Sequence, residues 1–212
     1  MAPQETDNRH YALTYAQAVD DAHRAGRMDS IPSVTATFAL SEPTEKCFAQ
    51  GEFVLAEFRA VGDGTYLHNG SWFVAGGPVG ALATVGFMTG RALRNGARKR
   101  EAARDAVPRW IECDRGRLWV SSHGIYFHSQ QGFQRLHWGS LANGEMVGPG
   151  QFLFATYEQG DQLILSSVWA ELAFTSWARA RHPNHPQYVS RTWLPPELRA
   201  SAPGAIPGEV HT

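Results

Sequence analysis

Gly116-Arg-Leu-Trp-Val-Ser-Ser-His-Gly-Ile-Tyr-Phe-His-Ser129 reads as two strands around a tight turn. The arms 117–121 and 125–129 are rich in strand-favouring aromatic and β-branched residues, and the polar Ser122-His123-Gly124 separates them. Downstream, Gln131-Gly132 parts the second arm from another strand, Phe133-Gln-Arg-Leu-His-Trp138. A loop containing Asn143-Gly144 and Gly148-Pro149-Gly150 leads to Phe152-Leu-Phe-Ala-Thr-Tyr157. Residues 158–161 then turn the chain into Gln162-Leu-Ile-Leu-Ser166. Trp169, Leu172, Ala173, Ser176, Trp177 and Ala180 recur at helical spacing, up to His182-Pro183. Short turns between strands predict an antiparallel meander, and the closing helix has an apolar stripe with which to cover it.

Upstream, Glu52-Phe-Val-Leu-Ala-Glu-Phe58 predicts an opening strand, and Gly62-Asp-Gly64 marks a turn into a returning arm at 65–73. Before it, Tyr11, Ala12, Tyr15, Ala18, Val19 and Ala22 mark one face of an amphipathic helix over 8–25. Asp7 or Asn8 caps this helix and Gly26 stops it. After Arg181 come six of the twelve prolines, with Trp193 and Leu194 as anchors and the last dozen residues reading as a disordered tail.

Strands in series capped by one C-terminal amphipathic helix form the layout of a pleckstrin-homology-like barrel. The stretch 116–129 resembles the central hairpin of GRAM and bacterial PH-like domains, where a Gly-Arg-Leu-like strand, a small polar turn and a Gly-aliphatic-aromatic strand follow one another. Residues 133–141, with Trp138 and Leu141, continue the likeness, as do strands 152–157 and 162–166 and the last helix. The resemblance covers residues 110–181, with the opening strand near 52–60. It implies an α+β fold: a PH-like antiparallel barrel or sheet, an N-terminal helix, and a long Gly-rich and basic helical insertion. The expected organisation is an N-terminal helix at 1–30, a PH/GRAM-like domain at 31–181 with insertion 66–109, and a Pro-rich tail at 182–212. The family implies a non-enzymatic module that binds phospholipid headgroups or protein segments. The basic pair of inositide-binding PH loops is absent from the first hairpin.

The insertion has a composition of its own. Nineteen residues, 72–90, hold no charge, and Gly76, Gly80, Gly86 and Gly90 form two small-xxx-small pairs near Trp72. Such spacing lets helix backbones approach closely, and five glycines with a proline argue against a membrane-spanning helix. A basic run follows at once: Arg91, Arg94, Arg98, Lys99 and Arg100 lead a segment 91–109 of net charge +5, in a chain of 212 residues whose formal charge is −1. An apolar stretch beside such a run suits contact with an anionic membrane surface, where each cation contributes about 1 kcal/mol. Trp72 and Trp110 bracket the segment as candidate interfacial residues. The competing reading is packing against a protein partner or a second copy through the glycine faces.

Other function classes leave little trace. The near-neutral charge and the lack of aromatics within the basic run argue against nucleic acid. There is no Gly-x-Ser-x-Gly elbow, no phosphate-binding P-loop and no His-Glu-x-x-His helix, so no catalytic residues, cofactor or metal site are expected. His123, His128 and His137 fall on neighbouring predicted strands, where they either gather on one face and sense pH or lie scattered. Cys47 and Cys113 read as spectator thiols. The start of the chain lacks a basic-then-apolar signal pattern. The expectation is a cytoplasmic binding module, peripheral at the inner face of the membrane, with homo-oligomerisation through the Gly-rich helix as the alternative.

Overall fold

A computed structural model of the chain describes residues 3–60, 107–157 and 162–199. The chain falls into two compact units, residues 1–57 with 112–212, and residues 58–111. The predicted returning arm at 65–73, the segment 72–104 and the last dozen residues lie outside the described residues.

The fold is α+β. Seven strands, β1 (Cys47–Arg59), β2 (Arg109–Ser121), β3 (Gly124–Ser129), β4 (Gly132–His137), β5 (Leu141–Gly148), β6 (Gln151–Thr156) and β7 (Gln162–Ser166), form one curled antiparallel sheet. Their order is β4-β3-β2-β1-β7-β6-β5. The first and last strands pair, Leu55 opposite Leu165 and Glu57 opposite Leu163, so among the described strands β4 and β5 are the two edges. The quoted hairpin folds as read, with Leu118 opposite Phe127 and Val120 opposite Ile125.

Alternation along the strands sorts side chains onto two faces. Leu118, Val120, Ile125, Phe127, Phe152, Phe154 and Leu165 point into the main core. There they meet Leu172, Phe174 and Trp177 of helix α2 (Ala170–Arg181). Helix α1 (Pro3–Arg24) packs against α2 and buries Ala12, Leu13, Tyr15, Ala16, Val19 and Ala22. With sheet on one side and α1 on the other, α2 is buried at every residue from Ala170 to Ala178. On the opposite sheet face, Trp119, Tyr126 and Cys47 are covered by Val34, Phe38 and Leu40 of the extended segment 31–46.

Local chemistry explains the boundaries. Gly26, at φ +67°, ends α1 in a Schellman motif: Arg27 N–H donates to Ala22 O at 2.7 Å and Gly26 N–H to His23 O at 2.9 Å. The helix begins at Pro3, five residues before its predicted start; proline suits a first turn because its missing N–H has no partner there anyway. The expected loop at Asn143-Gly144 is instead strand β5. A Cβ at Gly144 would lie 2.6 Å from the Phe152 ring and 3.2 Å from Trp177, so this glycine serves close packing, not a turn. The Pro-rich segment after Arg181 holds two short helices, α3 (Pro186–Val189) and α4 (Pro196–Arg199), and buries Tyr188, Trp193 and Leu194 in the main core.

Candidate functional site

The residues singled out in the insertion, Trp72, Gly76, Gly80, Gly86, Gly90, Arg91, Arg94, Arg98, Lys99 and Arg100, lie outside the described residues. The two ends from which that segment departs are described. Burial along β1 fades toward Arg59, and the first residues of β2, Arg109 and Trp110, are exposed. Phe58 and Trp110 sit there with ring centroids 5.3 Å apart, 50% and 40% exposed, and Val107 is more open still. Arg59 and Arg109 adjoin the aromatic pair in sequence. Two large apolar rings held against each other in water, one carrying an indole N–H, have the chemistry of an interfacial anchor. Trp110 was legible from its place beside the basic run. Phe58 was not, because its sequence context is that of an ordinary strand residue.

Elsewhere the polar clusters are fasteners. Glu45 is buried between the segment entering β1 and the β2–β3 turn. Its Oε2 accepts Tyr126 Oη at 2.8 Å and Ser41 N–H at 3.0 Å, and its Oε1 accepts Ser121 Oγ. Burial pushes this carboxyl up, but the bonds from Ser121, Tyr126 and Ser41 outweigh it and hold the group below the usual carboxylate range. Both oxygens are engaged, which suits anchoring. A second network joins α1 to the C-terminal segment: Asp20 accepts Tyr188 Oη at 2.6 Å and Arg24 Nε at 2.8 Å, and Arg191 pairs with Asp21.

Glu171, at the start of α2, is a buried carboxylate that borders a cavity. Its Oε1 accepts Arg9 Nη2 and, at 2.8 Å, the Gly150 N–H, tying α1 and the β5–β6 turn to α2. The adjoining cavity of about 370 Å³ is walled by Trp193, Leu194, Pro195 and Arg199 as well. Among the described residues that line it there is no Ser, Cys, Lys or His.

Of the three meander histidines, His128 and His137 share the outer sheet face with Tyr126, and the His123 and His137 rings lie 6.3 Å apart. Burial, followed by Arg135 and His123, holds His137 below its ordinary range. His123 Nδ1 faces Ser122 Oγ at 2.8 Å within the hairpin turn. His182 and His185 pack their rings on Trp177, with centroids 4.9 and 5.8 Å away. Burial pushes the Cys47 thiol up to about 11, which keeps it protonated and unreactive. Among the described residues, no three His, Cys, Asp or Glu side chains gather as metal ligands, and no helix is long and apolar enough to cross a membrane. No family model matches the chain, and no curated protein matches it.

Proposed function

We propose that the chain is a PH/GRAM-like binding module that associates peripherally with anionic membranes at the cytoplasmic face through segment 72–104. The observation that carries this reading is the exposed Phe58–Trp110 pair at the root of that segment. Its support is threefold: aromatic side chains at the root, an uncharged Gly-rich run, and the cations Arg91, Arg94, Arg98, Lys99 and Arg100 next in sequence. The antiparallel sheet with its covering α2 is compatible with a PH-like scaffold.

Sedimentation with anionic and neutral vesicles at low and high salt tests the proposal. Binding to anionic vesicles that weakens with salt is the expected result. Changing Arg94, Arg98, Lys99 and Arg100 to Gln removes about 1 kcal/mol per cation, a weakening on the order of a thousandfold. Absence of binding to anionic vesicles overturns it and turns attention to self-association through Gly76, Gly80, Gly86 and Gly90.

A further inference from the structure

The two edges of the sheet are treated differently. At β5, the Gln187 carboxamide accepts the Met146 N–H at 2.8 Å and donates to the Met146 carbonyl at 2.9 Å. One side chain thereby fills the slot that a neighbouring strand would take. The register of β5 is also broken twice, between Leu141 and Asn143 and between Met146 and Gly148. Bulges and a plugged hydrogen-bonding slot are the devices by which edge strands are protected from pairing.

β4 has neither. Its register with β3 runs without interruption from Ser129 opposite Gly132 to Gly124 opposite His137. The bond from Trp138 N–H to His123 O, at 2.9 Å, continues that ladder and fixes its phase. Residues 132, 134, 136 and 138 exchange bonds with β3, so Phe133, Arg135 and His137 aim their N–H and C=O groups out of the sheet. Among the described residues none bonds to these outward groups.

The side chains of the same three residues lie on the outer face. Phe133 is 50% exposed, and Arg135 stands 5.9 Å from the Tyr126 ring centroid. Arg117 and His128 occupy the next positions across the ladder, and β3 and β4 contain no acidic residue. Among the described residues neither Arg117 nor Arg135 has a carboxylate partner. Among the described residues the edge is therefore continuous and unplugged, with Arg135 as its cation and Phe133 as its exposed ring.

We propose that β4 is the docking edge for an extended acidic segment of a partner protein, which adds to the sheet as a further antiparallel strand. Main-chain bonds to Phe133, Arg135 and His137 supply affinity, and the face supplies selection. In the added strand, side chains two residues apart meet His137, Arg135 and Phe133 in turn: a hydrogen-bond acceptor faces the His137 ring, whose Nδ1 accepts the Gly139 N–H, an acid faces Arg135 and an apolar side chain faces Phe133, a pattern that Glu-x-Glu-x-Val satisfies. A second copy fits poorly. A two-fold β4–β4 pair through these groups sets Arg135 directly opposite Arg135, and like charges so placed are destabilising.

The test titrates the full chain with the peptide Thr-Glu-Thr-Glu-Thr-Val-Thr, blocked at both ends, and follows backbone amide shifts and hydrogen exchange. A peptide with Lys for Glu is the control. The expected result is rapid exchange at Phe133, Arg135 and His137 in the free protein, and slowing at those three amides only with the acidic peptide. Arg135→Gln keeps the N–H and loses the charge, weakening binding about fivefold. Arg135→Pro removes an N–H that β3 does not use and abolishes binding; proline is tolerated at such an edge position. Because the Gln variant leaves the backbone intact, a folding defect in the Pro variant would not decide the matter. Protection of these amides in the free protein, equal binding of the Lys peptide, or shifts confined to β5 would each overturn the proposal, as would no shift at millimolar acidic peptide.

Discussion

Tyr126, on β3, donates its phenol to Oε2 of Glu45 at 2.8 Å, closing a contact across 81 residues of chain. Together with Ser121 it makes Glu45 the fastener of segment 31–46 to the sheet's outer face. Glu45→Leu would remove the charged acceptor of two buried hydroxyls, leaving Ser121 Oγ the Gly124 carbonyl and Tyr126 Oη the Ser41 hydroxyl, and hydrogen bonds to a charged group contribute about 1.5–3 kcal/mol each. A loss of about 3 kcal/mol in urea unfolding is expected, and a smaller one for Glu45→Gln. A loss under about 1 kcal/mol for the Leu variant would show that the strap is held by Phe38 and its ring contacts instead.

The same carboxylate sets an acid limb. Its folded pKa lies below the ordinary 4.5, so its contribution is full above that value and is lost as pH falls through the folded value. Below pH 4.5 the wild type should lose stability more steeply than Glu45→Gln. Parallel curves for the two proteins would remove Glu45 as the cause.

A second limb lies at higher pH. Burial, with a further contribution from His182, holds His185 below its ordinary 6.5, and its ring packs against Phe174 and Trp177. Protonation then favours the unfolded chain: the stabilisation is complete above pH 6.5 and fades as pH falls toward the folded pKa. His23 and His137 shift in the same direction. Melting temperature should therefore fall between pH 7.5 and 5.5, and His185→Gln should flatten part of that fall. An unchanged slope would assign the limb to His23 and His137.

The hairpin, the 52–58 part of β1 and α2 were legible because each carries a local signal of strand-favouring residues or a helical stripe, whereas the first five residues of β1, 47–51, were not read as strand. β5 was not. Leu141-Ala-Asn-Gly-Glu-Met146 holds a strong turn signal, and only the rings of Phe152 and Trp177, contributed from elsewhere in the chain, make Gly144 a strand residue. Gln187 is silent for the same reason: nothing near it in sequence indicates that its amide will pair with Met146. The β4 edge was half legible. Its strand was read correctly, but its place at the border of the sheet follows from the pairing of β1 with β7, a long-range event.

Gly144 offers a direct check on that account. Gly144→Val places a branched side chain where even a Cβ would overlap the Phe152 ring, and overpacking of this kind costs about 1–3 kcal/mol. Turn chemistry alone would instead make the substitution mild. Thermal melts of Gly144→Ala and Gly144→Val should show graded losses, the valine variant being the worse. Little change in either would mean that β5 moves aside easily, and that the Phe152–Trp177 packing does not define its position.

Phe58 and Trp110 separate a structural from an interfacial role. If their mutual contact mainly stabilised the strand ends, replacing both by Ser would lower stability. Both are substantially exposed, however, and surface substitutions of this kind stay within about 0.5 kcal/mol. The double variant should melt near the wild type while its partition onto anionic vesicles falls. Burying a large apolar side chain contributes about 1.5–3 kcal/mol when complete, and half-immersed rings contribute about half of that. A drop of roughly tenfold or more is therefore expected from the pair. Because this loss is apolar, it should persist at high salt, whereas the loss caused by neutralising Arg94, Arg98, Lys99 and Arg100 should shrink there. A double variant that binds vesicles as the wild type does would leave the cations as the whole of the membrane contact and return the aromatic pair to the sheet.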